Sequence, residues 1–150
     1  MSDFPMGMYQ AHHNAYDMQY FKPATAAAFR THVPVVLNTT TGEIDECAAD
    51  PALILGLVHS TATMKWLYDN RVPVAMFSPE FLLGLSGVAP VATDVGKEYG
   101  ITKAASGNWR IDKAKTGATG RVHVVRVDIT NEVYICRVLA ANIQSDAIAS

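Results

Sequence analysis

The sequence predicts an all-β protein, a small β-barrel or β-sandwich domain with an extended N-terminal arm. Short apolar and β-branched runs recur from Val33 onward, and Gly, Pro, Asn and Asp separate them. Strands of this number and spacing are typical of sandwiches and small barrels. The chain has 150 residues and is 49% apolar, which is enough for one hydrophobic core and leaves apolar side chains over for a partner.

The chain divides into residues 1–32, an extended arm; 33–144, the β-domain; and 145–150, a C-terminal tail. The arm mixes aromatic and Met residues with polar ones, and neither a helical nor an alternating period fits it. A terminal segment without its own fold is ordered only when something holds it. We therefore expect its large side chains to contact the surface of a partner, with packing on its own domain as the alternative. These side chains are Phe4, Met8, Tyr9, Tyr16, Tyr20, Phe21 and Phe29.

The first half of the β-domain opens with a predicted hairpin. Residues 33–38 and 43–47 flank the turn Thr-Thr-Thr-Gly, and the second of these runs alternates polar and apolar residues. Residues 53–59 form a continuously apolar strand in which Gly56 marks a bulge or a close approach. Residues 71–77 form another strand, which Pro73 assigns to an edge or a strand end.

The second half contains three short predicted strands and a final hairpin, and no internal repeat is visible in the sequence. The short strands are residues 81–85, 97–101 and 109–112. The hairpin joins residues 121–129 to residues 132–142 through a two-residue turn, Thr130-Asn131.

Charge is unevenly distributed although the net charge is only −2. Between Lys97 and Arg126, seven Lys or Arg stand against Glu98 and Asp112, whereas acidic residues dominate before Lys97. Two solvated faces would explain this. The alternative is a pair of complementary patches that meet between neighbouring subunits. Under that hypothesis, Lys113 and Lys115 contact the acidic segment 43–50 of a neighbour.

The residues that could take part in catalysis or bind a metal are scattered along the sequence. Cys47 and Cys136 lie in separate strand-like apolar runs, which favours two buried thiols over a disulfide or a metal pair. His12 and His13 are adjacent, so in a strand they point to opposite faces and do not share a metal easily. His123 alternates with apolar residues and is expected to be an ordinary strand residue. We therefore expect no catalytic activity, no cofactor and no metal site.

The composition also bears on partner classes. The slightly negative net charge argues against nucleic acid as the main partner. No apolar run approaches the length of a membrane span, and no signal peptide is visible at the N-terminus.

Several stretches resemble the head decoration or cement proteins of tailed bacteriophages. They are VPVVLNTTTGEIDECAADPALILGLVHSTA (33–62), RVPVAMFSPEFLLGLSG (71–87), TDVGKEYGI (93–101), NWRIDKAKTG (108–117) and RVHVVRVD (121–128). The resemblance covers residues 33–144 and excludes the arm. Its motifs mark turns and core positions, so the resemblance transfers no functional residue. The marked positions are Gly42, Asp50, Pro51, Gly56, Asp94, Gly96, Tyr99 and Gly100.

The resemblance implies a virion structural subunit, made in the host cytoplasm, that binds the outside of an icosahedral capsid and stabilises it. Its partners would be the major capsid protein and neighbouring copies of itself, in small oligomers. One alternative is another virion component, such as a connector or tail protein. A second alternative is a small β-barrel that binds a ligand or single-stranded nucleic acid, and an enzyme is the third.

Overall fold

The computed structural model describes residues 9–10, 18–24, 29, 32–58, 64–66, 69–78 and 81–144. Its regular structure is almost entirely β, as the sequence predicts, with three single-turn 3-10 helices in the described part of the chain. The helices are Ala92–Asp94, Gly117–Thr119 and Ala140–Asn142. The strands are β1 Tyr9–Gln10, β2 Met18–Pro23, β3 Pro34–Asn38, β4 Glu43–Glu46, β5 Gly56–Val58, β6 Met64–Trp66, β7 Asp69–Met76, β8 Leu83–Ser86, β9 Glu98–Lys103, β10 Trp109–Asp112, β11 Val122–Asp128 and β12 Val133–Val138.

The first sheet closes on itself and is called here the N-terminal ring. Its order is β2-β4-β3-β5-β7, and β7 pairs back to β2, with β6 added on β7. All pairings in the ring are antiparallel except that of β2 with β4. The parallel pair is short, joining Lys22 to Glu43 and Pro23 to Ile44.

The second sheet forms the C-terminal ring. Its order is β8-β10-β9-β11-β12, and β12 pairs back to β8. Here too a single pairing is parallel, that of β8 with β10 at Ser86 and Arg110. The two-residue strand β1 pairs with β8 at Leu83 and Gly84.

The two rings share one topology. In each ring the first strand along the chain pairs in parallel with the third and antiparallel with the fifth, and the second pairs with the third and fourth. The connections from third to fourth strand, residues 47–55 and 113–121, are equal in length. Both second-to-third turns contain a glycine with positive φ, Gly42 at 75° and Gly107 at 91°. The structure thus contains a repeat that the sequence does not display.

Inward-facing side chains of both rings form one hydrophobic core. Val33, Ile44 and Leu57 from the N-terminal ring and Ile101 and Trp109 from the C-terminal ring are among its members, all at most 2% exposed. Alternation along the strands puts these residues on the inner face. The rings therefore pack as one unit.

The chain after β12 also ties the rings together. Ile143 forms a parallel bridge with Ile54, in the connection between β4 and β5 of the N-terminal ring. The Gln144 side chain accepts a hydrogen bond from the Leu37 backbone N–H and donates one to the Leu37 carbonyl, both at 2.7 Å.

Three details differ from the sequence-based expectation. Strand β2 lies within the segment expected to be an arm, yet it is a member of the N-terminal ring. Strand β7 is not an edge strand, because its residues 74 and 75 pair both with β2 and with β5. Pro73 pairs with Tyr20 of β2 and lies between the residues of β7 that pair with β5 and those that pair with β6. The last hairpin turn spans residues 129–132 rather than two residues, since Asp128 pairs with Val133.

Candidate interaction surface

Four exposed apolar side chains lie on one loop and one turn of the C-terminal ring. Val88, Val91 and Val95 lie on the loop between β8 and β9 and are 67%, 46% and 46% exposed. Ile129, in the turn between β11 and β12, is 56% exposed. Single exposed apolar residues are ordinary, but a cluster at one place indicates a contact surface. We call these four residues the apolar end.

Hydrogen bonds fix the path of this loop over the ring. The Gly87 N–H donates to the Glu132 carbonyl at 3.3 Å, which places the start of the loop beside the turn that carries Ile129. At the other end the Gly96 N–H donates to the Val124 carbonyl at 2.9 Å. The loop thus spans from β12 to β11 and keeps the valines on its outer side.

Beneath the loop, Asp94 is a buried carboxylate, 2% exposed. It accepts hydrogen bonds from Tyr99 OH at 2.6 Å, Tyr134 OH at 3.2 Å, the Val91 N–H at 2.9 Å and Lys113 Nζ at 2.9 Å. A buried charge is tolerated only when it is paired and hydrogen-bonded, and Asp94 meets both conditions. The network joins the loop to β9, β12 and the connection after β10.

The pKa values in this network follow from the same contacts. Burial alone would raise the pKa of Asp94, but the hydrogen bonds from Tyr99, Val91 and Lys113 and the Lys113 charge outweigh it and lower the pKa to about 2. Burial, together with the hydrogen bond to Asp94, raises the pKa of Tyr99 to about 12. Burial and the Asp94 charge also raise the pKa of Tyr134. At neutral pH the carboxylate is therefore charged and both phenols are neutral donors.

Lys113, expected from the sequence to contact a neighbour, is part of this internal network. Its Nζ also donates to the Ala89 carbonyl at 3.1 Å and lies 5.9 Å from the centre of the Tyr134 ring. The side chain is 34% exposed. Its first role in the structure is to hold the loop.

The acidic and basic segments do meet, but within one chain. Lys115 Nζ lies 3.4 Å from Asp50 and 3.8 Å from Asp112. The Arg121 guanidinium lies 3.9 Å from Asp50, and its Nε donates to the Pro51 carbonyl at 2.6 Å. These contacts join the two equivalent connections, residues 47–55 and 113–121. Contact of Lys113 and Lys115 with a neighbour stays a prediction, and their charges already have partners.

Glu46 forms a second link between the rings. It accepts a hydrogen bond from the Trp109 indole N–H at 2.9 Å and forms an ion pair with Lys103 at 2.9 Å. Trp109 itself is fully buried. The sequence marked the acidic residues as a patch but gave no sign that an indole would bind one of them.

The arm residues expected to contact a partner have varied positions. Tyr20 is 37% exposed on β2. Phe21 and Phe29 are partly buried and pack against the protein's own core. Tyr9 lies on β1, and Phe4, Met8 and Tyr16 lie outside the described residues. For Phe21 and Phe29 the alternative of packing on the protein's own domain applies.

The two cysteines are free, buried thiols, as the sequence favours. Burial, with smaller contributions from the charges of Glu46 and Asp45, raises the pKa of Cys47 to about 12. Burial also raises the pKa of Cys136. Both stay protonated at neutral pH, so neither is an activated nucleophile.

Metal-ligating side chains do not form a group of three or more within the part of the chain that the structure describes. His12, His13 and His59 fall outside that part. His123 is half-buried on β11, opposite Arg137 and Glu98. Among the described helices, none is long and apolar enough to cross a membrane.

Comparison with known proteins adds no assignment: no family model matches the sequence, and neither a curated protein nor a solved structure matches it. The resemblance to head decoration proteins therefore depends on the quoted motifs.

Sequence reasoning did not find the apolar end or its support. It assigned Asp94 to a turn, and the carboxylate does accept a bond from the Val91 N–H within that turn. Its partners Lys113 and Tyr134, however, are distant in sequence and reach it only through ring closure. The available signal was the run of small apolar residues between Gly87 and Gly96 in a loop otherwise expected to be polar.

Proposed function

We propose that this protein is a virion structural subunit, a decoration or cement protein that binds the outside of a tailed-phage capsid and stabilises it. The observation that carries the proposal is the apolar end: three exposed valines on a loop that a buried ionic network holds in place, together with the exposed Ile129 of the β11–β12 turn. A rigid surface loses little conformational entropy on binding, so more of its contact energy remains as affinity. The motifs that resemble decoration proteins give the class of partner, the major capsid protein, and neighbouring copies of the subunit would lie beside it on the shell.

The physical role is stabilisation by binding. A subunit that binds only the intact shell shifts its stability by mass action, by about 2.7 kcal/mol per site at a hundredfold excess over the dissociation constant. Many sites on one lattice add their effects. No turnover is needed for this function.

The test uses expanded heads assembled from the capsid protein encoded with this subunit. Purified protein should sediment with the heads and raise their temperature of thermal disruption by several degrees. Each buried valine contributes on the order of 1.5 kcal/mol, so the double variant Val88→Ser/Val91→Ser should bind at least about tenfold more weakly. The matched control, Ala105→Ser/Ala118→Ser, adds two hydroxyl groups at exposed positions elsewhere and should bind normally.

A second variant examines the predicted arm. A chain that starts at Met18 lacks Phe4, Met8, Tyr9 and Tyr16 but keeps β2 in its ring. It should fold and bind heads more weakly than the full chain. Heads that neither take up the full-length protein nor gain thermal stability from it would overturn the proposed function.

A further inference from the structure

The two rings differ in how deeply they bury their first strand. In the C-terminal ring that strand is β8, and all four of its residues are buried. In the N-terminal ring it is β2, and none of its six residues is buried. Phe21 is the residue of β2 that packs against the core, at the edge of the cluster. We propose that the slot between β4 and β7 also accepts β2 from a second copy of this chain, so that subunits exchange this strand.

The slot requires a strand for backbone reasons. On one side β7 pairs with Met18 to Phe21, and on the other β4 pairs with Lys22 and Pro23. The Ala24 N–H continues this contact by donating to the Ile44 carbonyl at 2.9 Å. Without β2 the facing edges of β4 and β7 would carry unpaired N–H and C=O groups, which readily take up another strand.

The occupant is identified by the structure itself. A second copy offers the same residues in the same register, so the exchanged form repeats every backbone pair and the Phe21 contact of the unexchanged form. Exchange of an identical element therefore costs little once copies are close together. Within one chain the connection of residues 24–33 favours the unexchanged form through its effective concentration, so exchange should grow with protein concentration.

One connection, residues 24–33, joins β2 to β3, the next strand of its ring along the chain. His32, in this connection, has a positive φ of 65°. A few connecting residues can absorb the change in backbone direction that an exchange needs.

The experiment is a disulfide trap between two single variants in solution, without heads. Lys22 faces Glu43 in the β2–β4 register, and facing residues of paired strands lie within the Cα separation that a disulfide spans. Lys22→Cys and Glu43→Cys, one of them tagged, are mixed, incubated and oxidised. Each copy carries one of the two new thiols, so a disulfide between them joins two copies. The native thiols are buried, and the wild-type chain shows their background.

We expect the mixed disulfide dimer to form about tenfold more than in a control mixture of Lys22→Cys with Lys97→Cys, because thiols held in a strand pair have a high effective concentration. Lys97 is exposed on the other ring. The yield should rise with protein concentration. The double variant Lys22→Cys/Glu43→Cys, oxidised on its own at low protein concentration, should close its internal disulfide, because the β2–β4 register brings the two thiols together.

The outcomes separate cleanly. If the double variant closes its internal disulfide while the mixed single variants stay at the control level, strand exchange is overturned. If the double variant does not close, the β2–β4 pairing is absent in solution and the proposal fails with it. Because no capsid is present, the result is independent of the proposed function.

Discussion

The charge of the Asp94 carboxylate contributes to the stability of the fold because of the groups that surround it. Four donors surround it, and two of them, Tyr99 and Tyr134, point outward from the interior of the C-terminal ring. The tyrosine rings thus serve the core while their hydroxyl groups hold the loop above it. Because this carboxylate ionises more readily in the folded protein than in the unfolded chain, its charge contributes to stability.

This contribution has a defined pH range. The folded pKa of about 2 lies below the ordinary value of 3.8, so the contribution is complete above about pH 5 and is lost as pH falls towards 2. The size is on the order of 2 kcal/mol. Urea unfolding between pH 2 and pH 7 should show this loss in the wild type and a smaller loss in Asp94→Asn, which is also less stable at neutral pH. Asp45→Asn is the exposed control, and an unchanged pH slope in Asp94→Asn would contradict the assignment.

Whether the sequence predicts the contacts of a residue depends on how far along the chain its partners lie. The burial of Cys47 and Cys136 was predictable, because each lies in an apolar strand pattern. The partners of Lys113 were not, because Asp94 is 19 residues away and reaches it only across the end of the ring. Local pattern predicts whether a side chain is buried, whereas ring closure decides what a charged side chain meets.

At the scale of single elements, close approach between strands limits which residues fit. Gly56 opens β5 and lies against β7. A Cβ at this position would overlap the Ala75 carbonyl oxygen and lie 2.9 Å from Val74 Cγ1. The sequence indicated a bulge or a close approach at Gly56, and the close approach is what the structure has.

Gly56→Ala should therefore be strongly destabilising. Overpacking against a backbone atom typically costs about 1–3 kcal/mol, and the rigid β7 backbone puts this case at the upper end. Gly42→Ala is the matched control: its added Cβ meets nothing within 4 Å, so its cost comes from the positive φ and should be about 1 kcal/mol. Thermal unfolding of the two variants measures the difference, and equal costs would count against a steric cause.

The strands themselves were largely predictable, but their partners were not. Apolar and β-branched runs bounded by turn residues gave nine strands close to their observed positions. The runs do not say that β2 pairs in parallel with β4, or β8 with β10, because these contacts join segments far apart in the chain. Strand β2 was missed altogether, since its exposed residues on both faces give it no alternating pattern.

At the scale of the whole molecule, two rings of the same topology share one core and have complementary charge. The connection of residues 47–55 carries Asp50, and the equivalent connection of residues 113–121 carries Lys115 and Arg121. The uneven charge along the sequence thus serves at least in part to join the halves of a single chain.

The hydrogen bonds between Gln144 and Leu37 join residues 107 positions apart, and this has a consequence for folding kinetics. Closing so long a loop is entropically costly, so we expect this contact to form after the rate-limiting step, and during synthesis only once the last strands have left the ribosome. Gln144→Ala should then unfold about tenfold faster while its refolding rate stays that of the wild type. Stopped-flow chevron plots measure both rates, with Asn131→Ala, which removes only the side-chain hydrogen bond to nearby Asp128, as the local-contact control. Slower refolding of Gln144→Ala would instead show that the contact between Gln144 and Leu37 is already formed in the folding nucleus.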